Sequence, residues 1–124
     1  LENVVLSKPT TFMNESGKSV KLLTKRYSLG ANSLIIIHDD IDLPLGQIKI
    51  VKNRGSAGHK GVESIIKELG TKNFNRIRIG ICPETGKPKN VEKFVLQNFT
   101  KKEEEIIKET INQVITEIEN LARR

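Results

Sequence analysis

The sequence predicts an α/β sandwich, and three observations carry that prediction. Short apolar runs of strand character, at residues 33–37 and 76–82, alternate with segments whose apolar residues recur at helical spacing. Glycine and proline punctuate most of the junctions. The final quarter, opened by Thr100-Lys-Lys-Glu103, has the signature of a capping box followed by a long amphipathic helix. At 124 residues the chain suits one domain with a single core better than two.

Residues 2–7 read as a strand. Residues 12–29 read as a helix with Val20, Leu23 and Tyr27 on its apolar positions and Gly30 as terminator. The next strand, 33–37, stops on His38, Asp39, Asp40 and Asp42. After Pro44 and Gly46, residues 47–52 alternate polar and apolar, the pattern of a half-exposed strand near an edge. The glycine-rich stretch 55–61 leads into a short helix, 62–69, closed by Gly70. Residues 76–82 form a strand with alternating arginines, ended by Pro83, and a loop then leads to a short segment at 91–99. In the last helix, 101–123, Ile106, Ile107, Ile111, Val114, Ile115, Ile118 and Leu121 share a face expected to pack on the domain's own sheet.

Composition narrows the function classes. Hydrophobic residues make up 36% and charged residues 29% of the chain, which excludes a disordered polyelectrolyte. No apolar run approaches the roughly 20 residues of a membrane span, so the expected location is the cytoplasm, with no membrane partner. Cys82 has no second cysteine to pair with and is expected as a buried thiol at a strand end. The net charge of +6 is concentrated: residues 43–93 carry 11 Lys and Arg against four Glu. A clustered basic surface binds polyanions by releasing counterions, which makes nucleic acid the leading partner class. Only five aromatic residues are present, so contact with the phosphate backbone fits better than base stacking.

The chemistry concentrates at two places. Ligands of open α/β sheets bind outside the carboxyl ends of the strands, where Asp39 is expected to stand. The Gly55–Gly61 stretch offers backbone amides for close approach to a phosphate or carbonyl. It is no P-loop, because Lys60 is followed by Gly61 where Ser or Thr is required. A metal site on Asp39, Asp40 and Asp42 is disfavoured, since strand alternation puts Asp39 on the opposite side from the other two.

Four segments carry a resemblance: Thr10-Thr-Phe-Met-Asn14-Glu-Ser-Gly17, His38-Asp39-Asp-Ile-Asp-Leu-Pro44-Leu-Gly46, Gly58-His59-Lys60-Gly61, and Phe74-Asn-Arg76-Ile-Arg-Ile-Gly80. In order and spacing, across essentially the whole chain, they resemble bacterial peptidyl-tRNA hydrolase. The resemblance implies a single-domain three-layer sandwich over residues 1–124, with a mixed, twisted central sheet flanked by helices. It further implies a monomer that hydrolyses the ester between a peptide and the 3′ ribose of its tRNA, with no metal and no cofactor. The rival reading is a non-catalytic RNA-binding module of the same fold, like the intron splicing factors that share it.

Residue by residue, the resemblance places Asp39 as the aspartate that hydrogen-bonds the catalytic histidine, fixing its tautomer and stabilising its charged form. Asn14 matches the asparagine beside the scissile ester, although a helix N-cap is the structural alternative. Phe12 and Met13 match residues lining the same cleft. His59 keeps the family's identity in the glycine loop, where tying down the turn is an equally good role. Lys60 stands where the family has asparagine; a cation still attracts a phosphate or carbonyl but accepts no hydrogen bond. His38 is read as structural. Charge and the family's basic patch together make Lys49, Lys52, Arg54 and Arg76 the candidate tRNA contacts. The family's general base lies upstream of the position of Leu1, so this chain is expected to lack that histidine and the first strand, and to be inactive alone.

Overall fold

A computed structural model describes residues 4–10 and 13–123. Among the described residues three strands, β1 (Ile35–Pro44), β2 (Ile48–Lys52) and β3 (Asn75–Cys82), form one sheet in the order β1-β3-β2. The Asn75 N–H donates to Leu34 O and, at the other end, the Leu45 N–H donates to Cys82 O, so β1 and β3 run parallel. The Gly80 N–H donates to Gln47 O before β2 begins, while Arg76 meets Gly55 O past its end, so β2 runs antiparallel to β3. The sheet is therefore mixed, and β2 is at an edge of the described strands, as its alternation predicts. β3 takes the centre because it is the strand whose residues are buried in pairs, with Ile77 fully covered and Ile81 nearly so.

Among the described residues four α-helices accompany the sheet: α1 (Ser16–Arg26), α2 (Lys60–Leu69), α3 (Val91–Val95) and α4 (Lys101–Ala122). The predicted capping box is present in full, with Thr100 accepting from the Glu103 N–H and Glu103 accepting from the Thr100 N–H. Gly70 closes α2 in the left-handed conformation at φ 68°. Chain contacts group into two compact units, one on Ile37–Ile50 and Ile77–Arg124, the other on Glu2–Ile36 and Val51–Arg76. In the second unit Val20, Leu34, Ile65 and Phe74 make a core, lined further by Ile36, Ile66 and Leu69. Covering Phe74 alone contributes about 2–3 kcal/mol. In the first unit α4 buries Val114 and Thr110, whose hydroxyl is satisfied by the Ile106 carbonyl at 2.8 Å.

Four expectations are corrected. Helix α1 ends at Arg26, well short of Gly30: Ser28 takes φ 53°, the Ser28 N–H reaches Lys25 O and the Leu29 N–H reaches Thr24 O. That pair of bonds is a Schellman closure with serine in the position glycine usually holds. Of the strand expected over residues 2–7, residues 2 and 3 lie outside the described residues and 4–7 carry no regular structure, with Val4, Val5 and Leu6 exposed; strand propensity does not make a strand where no described strand pairs with it. β1 runs through the acidic residues to Pro44, so Asp39 lies in mid-strand and not at the strand end. The apolar stripe of α4 is covered on its Thr110–Val114 side only, leaving Ile111 and Ile115 exposed.

Candidate active site

In the first unit the site is built from β1. Strand geometry turns alternate side chains to opposite faces, separating Asp39 from Asp40 and Asp42. Asp40 is matched by Arg78 of β3, whose Nε donates to Oδ2 at 2.5 Å, while the Asp42 N–H donates to Oδ1 at 2.8 Å. Asp42, half exposed, receives Lys87 Nζ at 3.1 Å. These cations explain how a strand continues through carboxylates that looked like a terminator. Asp39 is half-buried. His38 has Nδ1 2.8 Å from the Asp39 carbonyl oxygen; a carbonyl only accepts, so Nδ1 carries the proton. Cys82, expected to be buried, is half-exposed and lines an open cleft of about 290 Å³ with Asp42, Pro44, Leu45, Pro83, Glu84 and Ile106. Lys49 is exposed on β2. Among the described residues no three His, Cys, Asp or Glu side chains are grouped to hold a metal ion, and no helix is long and apolar enough to cross a membrane.

In the second unit another group of the predicted residues gathers at the first turn of α2. Gly17 lets α1 come so close that a Cβ there would lie 2.1 Å from Ser64 O, and its N–H donates to Ser64 Oγ at 2.8 Å. This close approach lays the 3-10 turn Met13–Glu15 against α2. Met13 and His59 then flank Gly61: a Cβ on that glycine would meet His59 Cε1 at 3.1 Å and Met13 Cγ at 3.2 Å. Two of the sequence-chosen residues, 46 positions apart, are thus brought together through a third residue with no side chain.

His59 is the N-cap of α2. Its Nδ1 accepts from the Val62 N–H at 3.2 Å, so the neutral ring carries its proton on Nε2. The helix cap that was the structural alternative for Asn14 is not its role: Glu15 is the N-cap of α1 and makes no side-chain cap bond. Asn14 is exposed within the 3-10 turn and makes no side-chain hydrogen bond among the described residues. Lys60, the first residue of α2, is exposed, as are Lys52 and Arg54. Phe12 lies outside the described residues. Arg76 departs from the expected exposed strip: it is 4% exposed, and its guanidinium donates to Gly55 O at 2.9 Å. A side chain so covered anchors the glycine loop and is not available to an exposed basic strip, whereas Lys49, Lys52 and Arg54 are exposed.

Three structural residues escaped the sequence reading. Arg78 was visible only as one of the alternating arginines of the strand at 76–82. Gly17 and Gly80 carried the available signal, since a glycine inside a helix or strand often marks a close backbone approach.

The sequence model of the peptidyl-tRNA hydrolase family matches residues 1–124. The chain is 44% identical over 117 residues to the peptidyl-tRNA hydrolase of Aquifex aeolicus, covering 92% of this chain and 59% of that protein. It is 48% identical over 122 residues to the enzyme of Thermodesulfovibrio yellowstonii, covering 95% and 64%. Among solved structures, a peptidyl-tRNA hydrolase in complex with N-propanol is similar at a TM-score of 0.83 and 30% identity, covering 93% of this chain and 58% of that one. The crystal structure of peptidyl-tRNA hydrolase from Acinetobacter baumannii is similar at a TM-score of 0.82. The chain thus spans about three fifths of the length of the curated relatives it matches. Matched from end to end and at such identity, this α/β chain belongs to the peptidyl-tRNA hydrolase family.

Proposed function

We propose that the protein containing this chain hydrolyses the ester bond of peptidyl-tRNA, as a cytoplasmic monomer in which residues 1–124 belong to one catalytic domain. The observation that carries the reading is the family match over the whole chain, with its motifs held by specific packing: Met13 and His59 meet across Gly61, and Asp39 stands half-buried on β1. A carboxylate in that setting orients an imidazole and stabilises its protonated form without taking the proton itself. Asn14, exposed at the head of α1, supplies an amide that donates to a carbonyl or accepts from water without changing charge. Lys60 adds a positive charge at the start of α2, where the helix dipole also favours anions. The base that Asp39 is proposed to orient is the family's histidine.

Peptide release from an N-blocked aminoacyl-tRNA is the direct test, measured on this chain alone and on the protein with its upstream segment. Release is expected only with the segment; tight tRNA binding without turnover in both forms would replace the hydrolase with an RNA-binding module.

Lys49, Lys52 and Arg54 are the exposed cations proposed to hold the tRNA backbone. Reversing Lys52 and Arg54 to glutamate is expected to weaken tRNA binding and to flatten the dependence of log K on log salt by about one to two units of slope. An unchanged slope would remove both residues from the interface.

A further inference from the structure

Helix α1 carries Lys18, Lys21, Lys25 and Arg26 and no Asp or Glu within its 11 residues. All four cations are exposed, and with the exposed Leu22 they occupy the side of the helix away from the buried Gly17, Val20 and Thr24. Glu15 precedes the helix and Glu68 of α2 packs against Gly17, yet among the described residues no carboxylate pairs with any of the four cations. The arrangement works against the helix. Lys18 with Lys21, and Lys21 with Lys25, are like charges at the spacings that bring side chains together, and Lys18 lies in the first turn, at the positive end of the helix dipole. Helix α4 differs: it intersperses Lys101, Lys102 and Lys108 among six Glu. A stripe of one sign, left uncompensated by its own protein, is suited to neutralisation by a polyanion.

We propose that the outer face of α1 is a second contact for the tRNA: with the ester held at Asn14, the phosphate backbone runs out along Lys18, Lys21, Lys25 and Arg26. The inference rests on the hydrolase reading above and extends it to an element that carries none of Lys49, Lys52 and Arg54. The place of the stripe selects this polyanion. The 3-10 turn that holds Met13 and Asn14 runs directly into α1, so Lys18 lies about one turn beyond Asn14 and the stripe continues for about 12 Å to Arg26. A lipid surface fits less well, because interfacial helices insert a broad apolar face. The Val20 side of α1 is already packed in the core with Ile65 and Phe74, which leaves Leu22 alone among the cations.

The test uses the full-length protein with Lys18→Gln, Lys21→Gln and Lys25→Gln combined, measuring tRNA affinity against salt concentration together with the unfolding transition. Affinity is expected to fall about tenfold or more, and the slope of log K on log salt to flatten by about two units, as three phosphate contacts are lost. The unfolding midpoint is expected to hold or rise, since the substitutions remove repulsion within the helix. Changing the same three lysines to arginine keeps the charge and is expected to keep the parent's affinity and slope, which tests the face with all its cations in place. An unchanged slope in the glutamine variant would overturn the proposal and return the stripe to solvated surface. So would a midpoint that falls together with the affinity, or a loss of binding to phosphatidylserine vesicles while tRNA binding persists. A parent that binds tRNA without releasing peptide would overturn the hydrolase reading instead, and the salt slopes would still decide the role of α1.

Discussion

Replacing Gly80 by alanine is expected to cost about 3 kcal/mol or more of unfolding free energy, among the largest effects of any single methyl group in this protein. The added Cβ would lie 2.0 Å from the Pro44 oxygen, 2.8 Å from its carbonyl carbon and 2.9 Å from the Leu43 oxygen. All three are backbone atoms, so no side chain can rotate away. β1 would have to retreat from β3, and the Leu45 N–H to Cys82 O bond on one side of β3 and the Gly80 N–H to Gln47 O bond on the other both resist it. Gly30→Ala is the matched control: nothing lies within 4 Å of its Cβ position and its φ of −82° suits any residue, so a change within about 0.5 kcal/mol is expected. Urea unfolding midpoints of the two variants decide the matter; a Gly80→Ala midpoint equal to the parent's would mean that the strands do not approach as described.

Asp39→Asn in the full-length protein is expected to reduce kcat for peptide release on the order of 10³- to 10⁴-fold, by analogy with the aspartate of serine-protease triads, whose amide replacement holds histidine in the wrong tautomer. The substitution preserves volume, and Asp39 is half-buried on a strand held by Arg78 and Gly80, so the unfolding midpoint is expected to move little. KM is expected to stay near the parent value, because the residue acts in the reacting complex and not in holding the tRNA. A variant of full activity would remove Asp39 from the catalytic role. Equal losses of activity and stability would instead make it a structural carboxylate.

Residues whose role is local were legible. Thr100 and Glu103 lie three apart, and the capping box they form needs nothing beyond the first turn of α4. Gly70 ends α2 because only a residue free of a Cβ adopts its left-handed turn without cost. Residues whose role depends on distant neighbours were not legible. The carboxylates of β1 read as the end of a strand because the sequence does not reveal that Arg78, 38 positions later, comes to lie beside Asp40. Arg76 and Arg78 share a strand and a charge, yet one is turned to a loop carbonyl and the other to a carboxylate, and neither joins an exposed basic strip. Ser28 closes α1 by a pattern that backbone bonds alone define, so a search for glycine runs past it to Gly30.

The sequence by itself determined the α/β class, the four motifs with their family, and the elements set by short-range rules of period, cap and turn. Only the tertiary structure decided which polar residues are used up in holding the fold. His59 caps a helix, Arg76 pins the Gly55 loop and Arg78 matches Asp40, whereas Asn14, Lys52 and Arg54 remain exposed. The reason is physical: a side chain's local pattern records its own preference, but whether its charge or hydrogen-bonding capacity is spent depends on partners that folding brings in from far along the chain.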